Sequence, residues 1–231
     1  IHYRLKGCTA VVWAGKTDKF YQLPTMDTGD PINKLTLKYE PENNISNNHL
    51  DALWHSGPLL MFSSENISNT ENVSLVRNTN DITIGITRGN NPVDASKYDI
   101  QLITANNFYD YKNNVGESSK NIIYHPCSVE EEDSKTALQT RLHTLRFIKD
   151  ADTTFSITEK ASGKTIDIGG KTTINLIDYL LMSKPKMMGD QEYLDRRYEW
   201  DINIRIGDKE ENGYIALSIT INNWTYWFQP T

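Results

Sequence analysis

The chain has 231 residues, a formal net charge of -6 and a pI near 5.4. Hydrophobic residues make up 38% of it, enough to bury a core, so wholesale disorder is excluded. No apolar run reaches the roughly 18–20 residues of a membrane-spanning helix, no Lys/Arg cluster offers a face for nucleic acid, and two cysteines are too few for a disulfide scaffold or a four-thiolate metal site.

Asn and Thr each supply about a tenth of the chain, whereas Ala and Leu are comparatively scarce. Asn favours turns, Thr favours strands, and the strong helix formers are the residues in short supply. The composition points to an all-β protein with many short loops.

In chain order, Cys8–Ala14 is a β-branched apolar strand ended by Gly15. Leu35, Leu37 and Tyr39 alternate with polar neighbours. Val73–Val76, the polar turn Arg77-Asn78-Thr79-Asn80, and the alternating Ile82, Ile84 and Ile86 read as a hairpin with one apolar face. Tyr98–Thr104 and Asn121–Tyr124 are further strands. His125-Pro126-Cys127 then leads into the acidic run Glu130–Asp133, where a domain boundary is expected. The division is 1–125 for an N-terminal β-sandwich and 126–231 for a C-terminal one.

Beyond it, Leu138–Ile148 is a long strand, and Phe155, Ile157, Ile166 and Ile168 continue the alternation around a Ser162-Gly163-Lys164 turn. Thr172 or Thr173 caps a short helix through Met182, with Ile174, Ile177, Leu180 and Leu181 at helical spacing. A second helical turn covers Asp190–Arg197, where Gln191/Asp195 and Glu192/Arg196 are i, i+4 pairs. Trp200–Ile206, the GDKEENG turn and Ile215–Ile221 form a meander, closed by the aromatic strand Trp224–Phe228.

The chemistry-bearing residues are sparse. None of the five histidines is at i, i+4 from another, and His49 and His55, with Asp51 between them, lack a visible fourth metal ligand. No nucleophile elbow, phosphate loop or Cys-x-x-Cys occurs. Asp190, Glu192 and Asp195 are the best pair candidates for glycoside hydrolysis, but read as helix-cap and ion-pair residues. No catalytic, cofactor or metal site is assigned. Leu5-Lys6-Gly7-Cys8 imitates a lipoprotein cleavage box without its apolar leader, so Cys8 reads as a strand cysteine; pairing with Cys127 is left open. Trp224, Tyr226 and Phe228 share one strand face and Trp227 the other. They read as core anchors, with a sugar-stacking platform as the alternative.

Several segments, in order and over nearly the whole chain, resemble the fimbrillin superfamily of Bacteroidales fimbriae, most closely its FimB/Mfa-like anchor branch. Leu5–Gly15 resembles that family's strand ending in an "aWaG" turn. Val73–Ile86 resembles its "L-R-x-T-N-x-I-x-V" hairpin, Tyr98–Asn114 its "N-G-x-Y-D-x-x-N" strand and loop, and Arg141–Phe147 its "L-x-T-x-R-L" strand. Gln191–Arg196, QEYLDR, is the most specific piece, between a short helix and a strand centred on Trp200.

The resemblance implies two transthyretin-like, Greek-key β-sandwich domains with one or two short helices in the second. It implies a non-enzymatic lipoprotein subunit of an adhesive, biofilm-forming fimbria at the outer membrane. Such a subunit anchors the fimbria or limits its length, and joins other subunits by strand addition. Relative to the family the chain opens just ahead of the "aWaG" strand. The upstream lipid anchor is therefore expected outside this chain, and the N-terminal sandwich is expected to lack its first strands and to leave an edge open. A tip or stalk subunit, a surface glycan-binding lipoprotein using the terminal aromatics, and a glycosidase using Asp190, Glu192 or Asp195 are the alternatives.

Overall fold

The structure is a computed structural model that describes residues 8–15, 19–56, 60–62, 72–117, 119–127, 139–209 and 213–229. The first third contributes short strands: β1 (Cys8–Ala10), β2 (Trp13–Gly15), β3 (Tyr21–Gln22), β4 (Leu37–Tyr39), β5 (Ile45–Ser46), β6 (Leu53–His55), β7 (Leu60–Phe62) and β8 (Val76–Arg77). Next come β9 (Thr79–Arg88), β10 (Asn91–Val93), β11 (Tyr98–Ala105), β12 (Phe108–Tyr109) and β13 (Asn121–Tyr124). The remainder holds β14 (Gln139–Leu145), β15 (Thr154–Glu159), β16 (Asp167–Ile168), β17 (Ile174–Asn175), helices α1 (Leu176–Met182) and α2 (Asp190–Arg196), and β18 (Glu199–Lys209), β19 (Gly213–Ile221) and β20 (Trp224–Trp227). The all-β reading with two short helices holds.

Two large sheets form the main body. In the seven-stranded sheet the order is β10-β9-β18-β19-β16, with β14 also on β9 and β20 also on β19; the five-stranded sheet runs β17-β15-β11-β13-β5. Period-two alternation puts one face of each strand inward. Parallel pairing of β9 with β18 sets Trp200, Ile202 and Ile204 opposite Ile82, Ile84 and Ile86. Across the layer lie Ile100 and Leu102 of β11 with Phe155 and Ile157 of β15, and all these side chains share one core. Full burial of each contributes on the order of 1.5–3 kcal/mol. Leu37 joins the same core, while Leu35 is only half-buried.

Three smaller sheets, β1-β7, β2-β6-β8 and β3-β4-β12, come from residues 8–77 plus Phe108 and Tyr109. The expected open N-terminal edge falls partly on residues outside the described set.

Four details differ from the sequence reading. The 125/126 division does not separate two sheets: β9 pairs with β14 and β18, and β11 with both β13 and β15. In sequence, the acidic run that suggested a boundary falls between β13 and β14. The hairpin across Arg77–Asn80 is no turn, because β8 leaves the β6 sheet and β9 enters the large one. Asn78, Thr79 and Asn80 are buried there, and the Asn amides bond to distant segments instead of capping a local turn. The Cys8–Ala14 segment splits into β1 and β2, and Gly15 ends β2 at φ 117, where a Cβ would sit 2.1 Å from the Ala52 carbonyl oxygen. The cap of α1 is Asn175, whose side-chain oxygen accepts from Ile177 N at 3.2 Å, because Ile174 and Asn175 are still paired with β15.

Candidate functional site

The carboxylates that could have formed a hydrolytic pair are each tied to a cation. Arg146 grips Asp195 with both Nε and Nη2 at 2.7 Å, and Gln191 Nε2 adds a bond of 2.7 Å to the same carboxylate. Glu192 is 2.8 Å from Arg196, and Asp190 is 3.3 Å from Lys184. On α2, Tyr193 and Leu194 are buried, so the QEYLDR segment is a structural clasp. Its Gln191 also donates to Phe147 O and accepts from Lys149 N, which pins the helix to the chain leaving β14.

The histidines do not converge as their spacing suggested. His55 is buried in β6 with its ring 4.6 Å from Trp13, whereas exposed His49 lies 4.0 Å from the ring of His143. Among the described residues no group of three or more His, Cys, Asp or Glu could hold a metal ion. The Cys127 thiol is free and donates to Asn48 O at 3.1 Å. The Cys8 side chain lies outside the described residues.

The other motif residues meet in one hub. Asn78 and Asn113 exchange amide hydrogen bonds, and Arg146 Nη1 donates to Asn113 O. Asn80 donates to Leu145 O and accepts from the Trp200 indole. Arg77 donates to Thr79 and Asp81, and its guanidinium lies 4.2 Å from the Tyr198 ring centre. Sequence reasoning found these segments without seeing that they touch.

Beside the hub is a cleft of about 820 Å³ whose lining includes His49, Asp51, Asp81, Arg141, His143 and Asn222. Asp81 sits 2.6 Å from Arg77 Nη2 and 2.7 Å from His143 Nδ1. Burial opposes its charge, but His143 and Arg77 more than offset that and hold its carboxyl below the usual range. Burial and the neighbouring His143 lower the pKa of His49. Sequence reasoning missed this cleft, since its residues come from six separate segments.

The terminal strand overturns the expectation of buried core anchors for Trp224, Tyr226 and Trp227, whereas Phe228 packs against the core. Trp224 is 56% exposed, Tyr226 40% and Trp227 57%. β20 pairs with β19 alone, so no strand covers its other edge among the described residues. Trp224 and Tyr226 stand opposite Ile221 and Ile219, on the core side of the sheet but at its margin. Tyr226 meets Phe228 at 5.2 Å and Tyr179 of α1 at 5.8 Å. On the outer face Arg205 lies 5.9 Å from the Trp227 ring centre. Strand edges are usually blunted by charge, Pro or a bulge; Trp-Thr-Tyr-Trp carries none of these.

The family described as fimbrillin-A associated anchor proteins Mfa1 and Mfa2 matches residues 1–230. A solved structure from Bacteroides thetaiotaomicron, described as a candidate polysaccharide-binding protein, is 27% identical with a TM-score of 0.80, covering 99% of this chain and 78% of that one. A candidate adhesin of the same organism is 22% identical with a TM-score of 0.74 over 99% of this chain and 80% of that one. The fimbrial anchor protein Mfa2 from Porphyromonas gingivalis is 16% identical with a TM-score of 0.68 over 97% and 78%. The last two show the shared fold. No curated protein sequence matches.

Proposed function

We propose that this chain, which belongs to the fimbrillin-A associated anchor proteins, is an anchor or minor subunit of an adhesive cell-surface fimbria, joined to other fimbrial subunits by strand addition and held at the outer membrane through a lipid. The observation that carries the reading is the family match across residues 1–230. The open edge of β20 supports the mode of assembly. Its unpaired N–H and C=O groups offer a ladder to an incoming strand, and its aromatics offer side-chain contacts on both faces. The role is structural: Asp190, Glu192 and Asp195 serve packing and ion pairing, and no catalytic step is assigned. Nucleic acid has no place in it.

Fimbriae sheared from the source organism and purified provide the test. The chain should co-purify with the major subunit, and a photo-crosslinker at position 226 should join it to that subunit. Absence of the chain from both purified fimbriae and the cell-surface fraction would refute the proposal.

A second reading is contact with surface glycans through the exposed Trp224, Tyr226 and Trp227. The description of the Bacteroides thetaiotaomicron relative favours it. Binding on a glycan array, lost in Trp227→Ala or Tyr226→Ala, would support it.

A further inference from the structure

Among the described residues, three buried polar atoms in the cleft lining have no hydrogen-bond partner: both ring nitrogens of His143, of which Nδ1 lies at ion-pair distance from Asp81, and Asn222 Nδ2. Native proteins seldom leave such groups unpaired, and an unpaired one is a standing reason to look for a missing partner. Neither side chain can turn away. Asn222 is fixed from its other side, because its Oδ1 accepts from Asp201 N at 2.8 Å while its own N–H donates to Asp201 O. His143 is 6% exposed, and its Nδ1 rests at ion-pair distance from Asp81, 2.7 Å away.

The charges around the cleft nearly cancel. Asp51, Asp81, Glu199 and Asp201 face Arg77, Arg141 and Arg197, and Arg77 and Asp81 already satisfy each other. Such a field favours neither a polyanion nor a polycation. It presents carboxylates, guanidiniums, an amide and an imidazole side by side, a set that matches hydroxyl groups, which donate and accept at once. A volume of about 820 Å³ falls within the range of small-molecule sites.

We propose that this cleft is a carbohydrate-binding site for a neutral oligosaccharide, with Asn222 Nδ2 donating to a sugar oxygen and His143 Nε2 reached when the exposed His49 ring swings off it. The ligand class is that of the second reading above; the site is this cleft instead of the β20 aromatics, so the two assignments compete. His49 is suited to the part, since its exposed loop ring meets the His143 ring at 4.0 Å, tilted by 46°, and makes no other ring contact among the described residues.

The test uses the whole chain on a neutral-glycan array, followed by calorimetry with the best oligosaccharide. Asn222→Asp keeps the oxygen that accepts from Asp201 N, exchanges the unpaired donor for an acceptor and adds one negative charge. Asp also tolerates the left-handed backbone found there, φ 47. It should weaken binding at least tenfold with an unchanged melting temperature. His49→Ala should bind as tightly as the parent or tighter. No ligand on the array, or an affinity unaffected by Asn222→Asp, would overturn the proposal. Loss in Trp227→Ala with Asn222→Asp unaffected would overturn it in favour of the aromatic strand. Fimbrial assembly would be untouched by either failure.

Discussion

Asn78 and Asn113 hold each other by a reciprocal amide pair: Asn78 Nδ2 donates to Asn113 Oδ1 at 2.6 Å, and Asn113 Nδ2 donates back to Asn78 Oδ1 at 3.1 Å. Both side chains are buried, and Asn113 adopts a left-handed backbone, φ 67. The pair joins the β8–β9 passage to the loop after β12. Asn78→Ala strips Asn113 of both partners in a dry site, so it should cost about 2–3 kcal/mol in a urea titration. A change within experimental error would mean that water replaces the pair.

Arg146 and Asp195 link β14 to α2 by a bidentate bond with little exposure on either side. Asp195→Ala leaves the guanidinium without its counterion, and Gln191 loses one acceptor. The expected loss is on the order of 3 kcal/mol, against less than about 0.5 kcal/mol for Glu192→Ala, whose pair with Arg196 is exposed.

Much of the fold was legible in the sequence because period-two alternation marks strands whatever they pair with. Ile82, Ile84 and Ile86, and Trp200, Ile202 and Ile204, announced their inward faces. Nothing local said that these two strands lie side by side in parallel, since pairing over such a separation is set by the whole core. The same limit applies at 126–133, where an acidic run reports charge and says nothing of the strand pairs that join the segments on its two sides. Burial of Trp224–Trp227 was expected from hydrophobicity alone. A strand at a sheet margin escapes that rule, because among the described residues only β19 flanks it. The cleft stayed invisible because Asp81, His143 and Asn222 are neighbours only after folding.

His55 is expected to make the protein acid-sensitive. Burial pushes its pKa from 6.5 down to about 4, with Arg146 reinforcing the shift and Asp110 opposing it. Between those values the unfolded chain binds a proton that the folded one does not. The neutral-pH stability is therefore intact above pH 6.5 and lost as pH falls toward 4, by on the order of 3 kcal/mol at most. Urea midpoints at pH 7 and pH 4.5 should differ accordingly, and His55→Gln should flatten the difference. An equal slope in the variant would assign the sensitivity to other groups.

Cys127 is expected to be a slow thiol. Burial pushes its pKa up to about 11, and its S–H is spent on Asn48 O. At pH 8 its thiolate fraction should be roughly a hundredfold below that of a free cysteine. Iodoacetamide labelling followed by mass spectrometry should show that ratio in the native state and lose it in urea. Rapid native labelling would contradict the packing around Cys127.

The most direct test of the fimbrial role is electron microscopy of the source organism with this gene deleted, with fimbriae counted on cells and in the spent medium. An anchor or length-limiting subunit predicts fimbriae shed into the medium, or altered in length, with restoration by the wild-type gene. Fimbriae of normal length still attached to the deleted cells would contradict it.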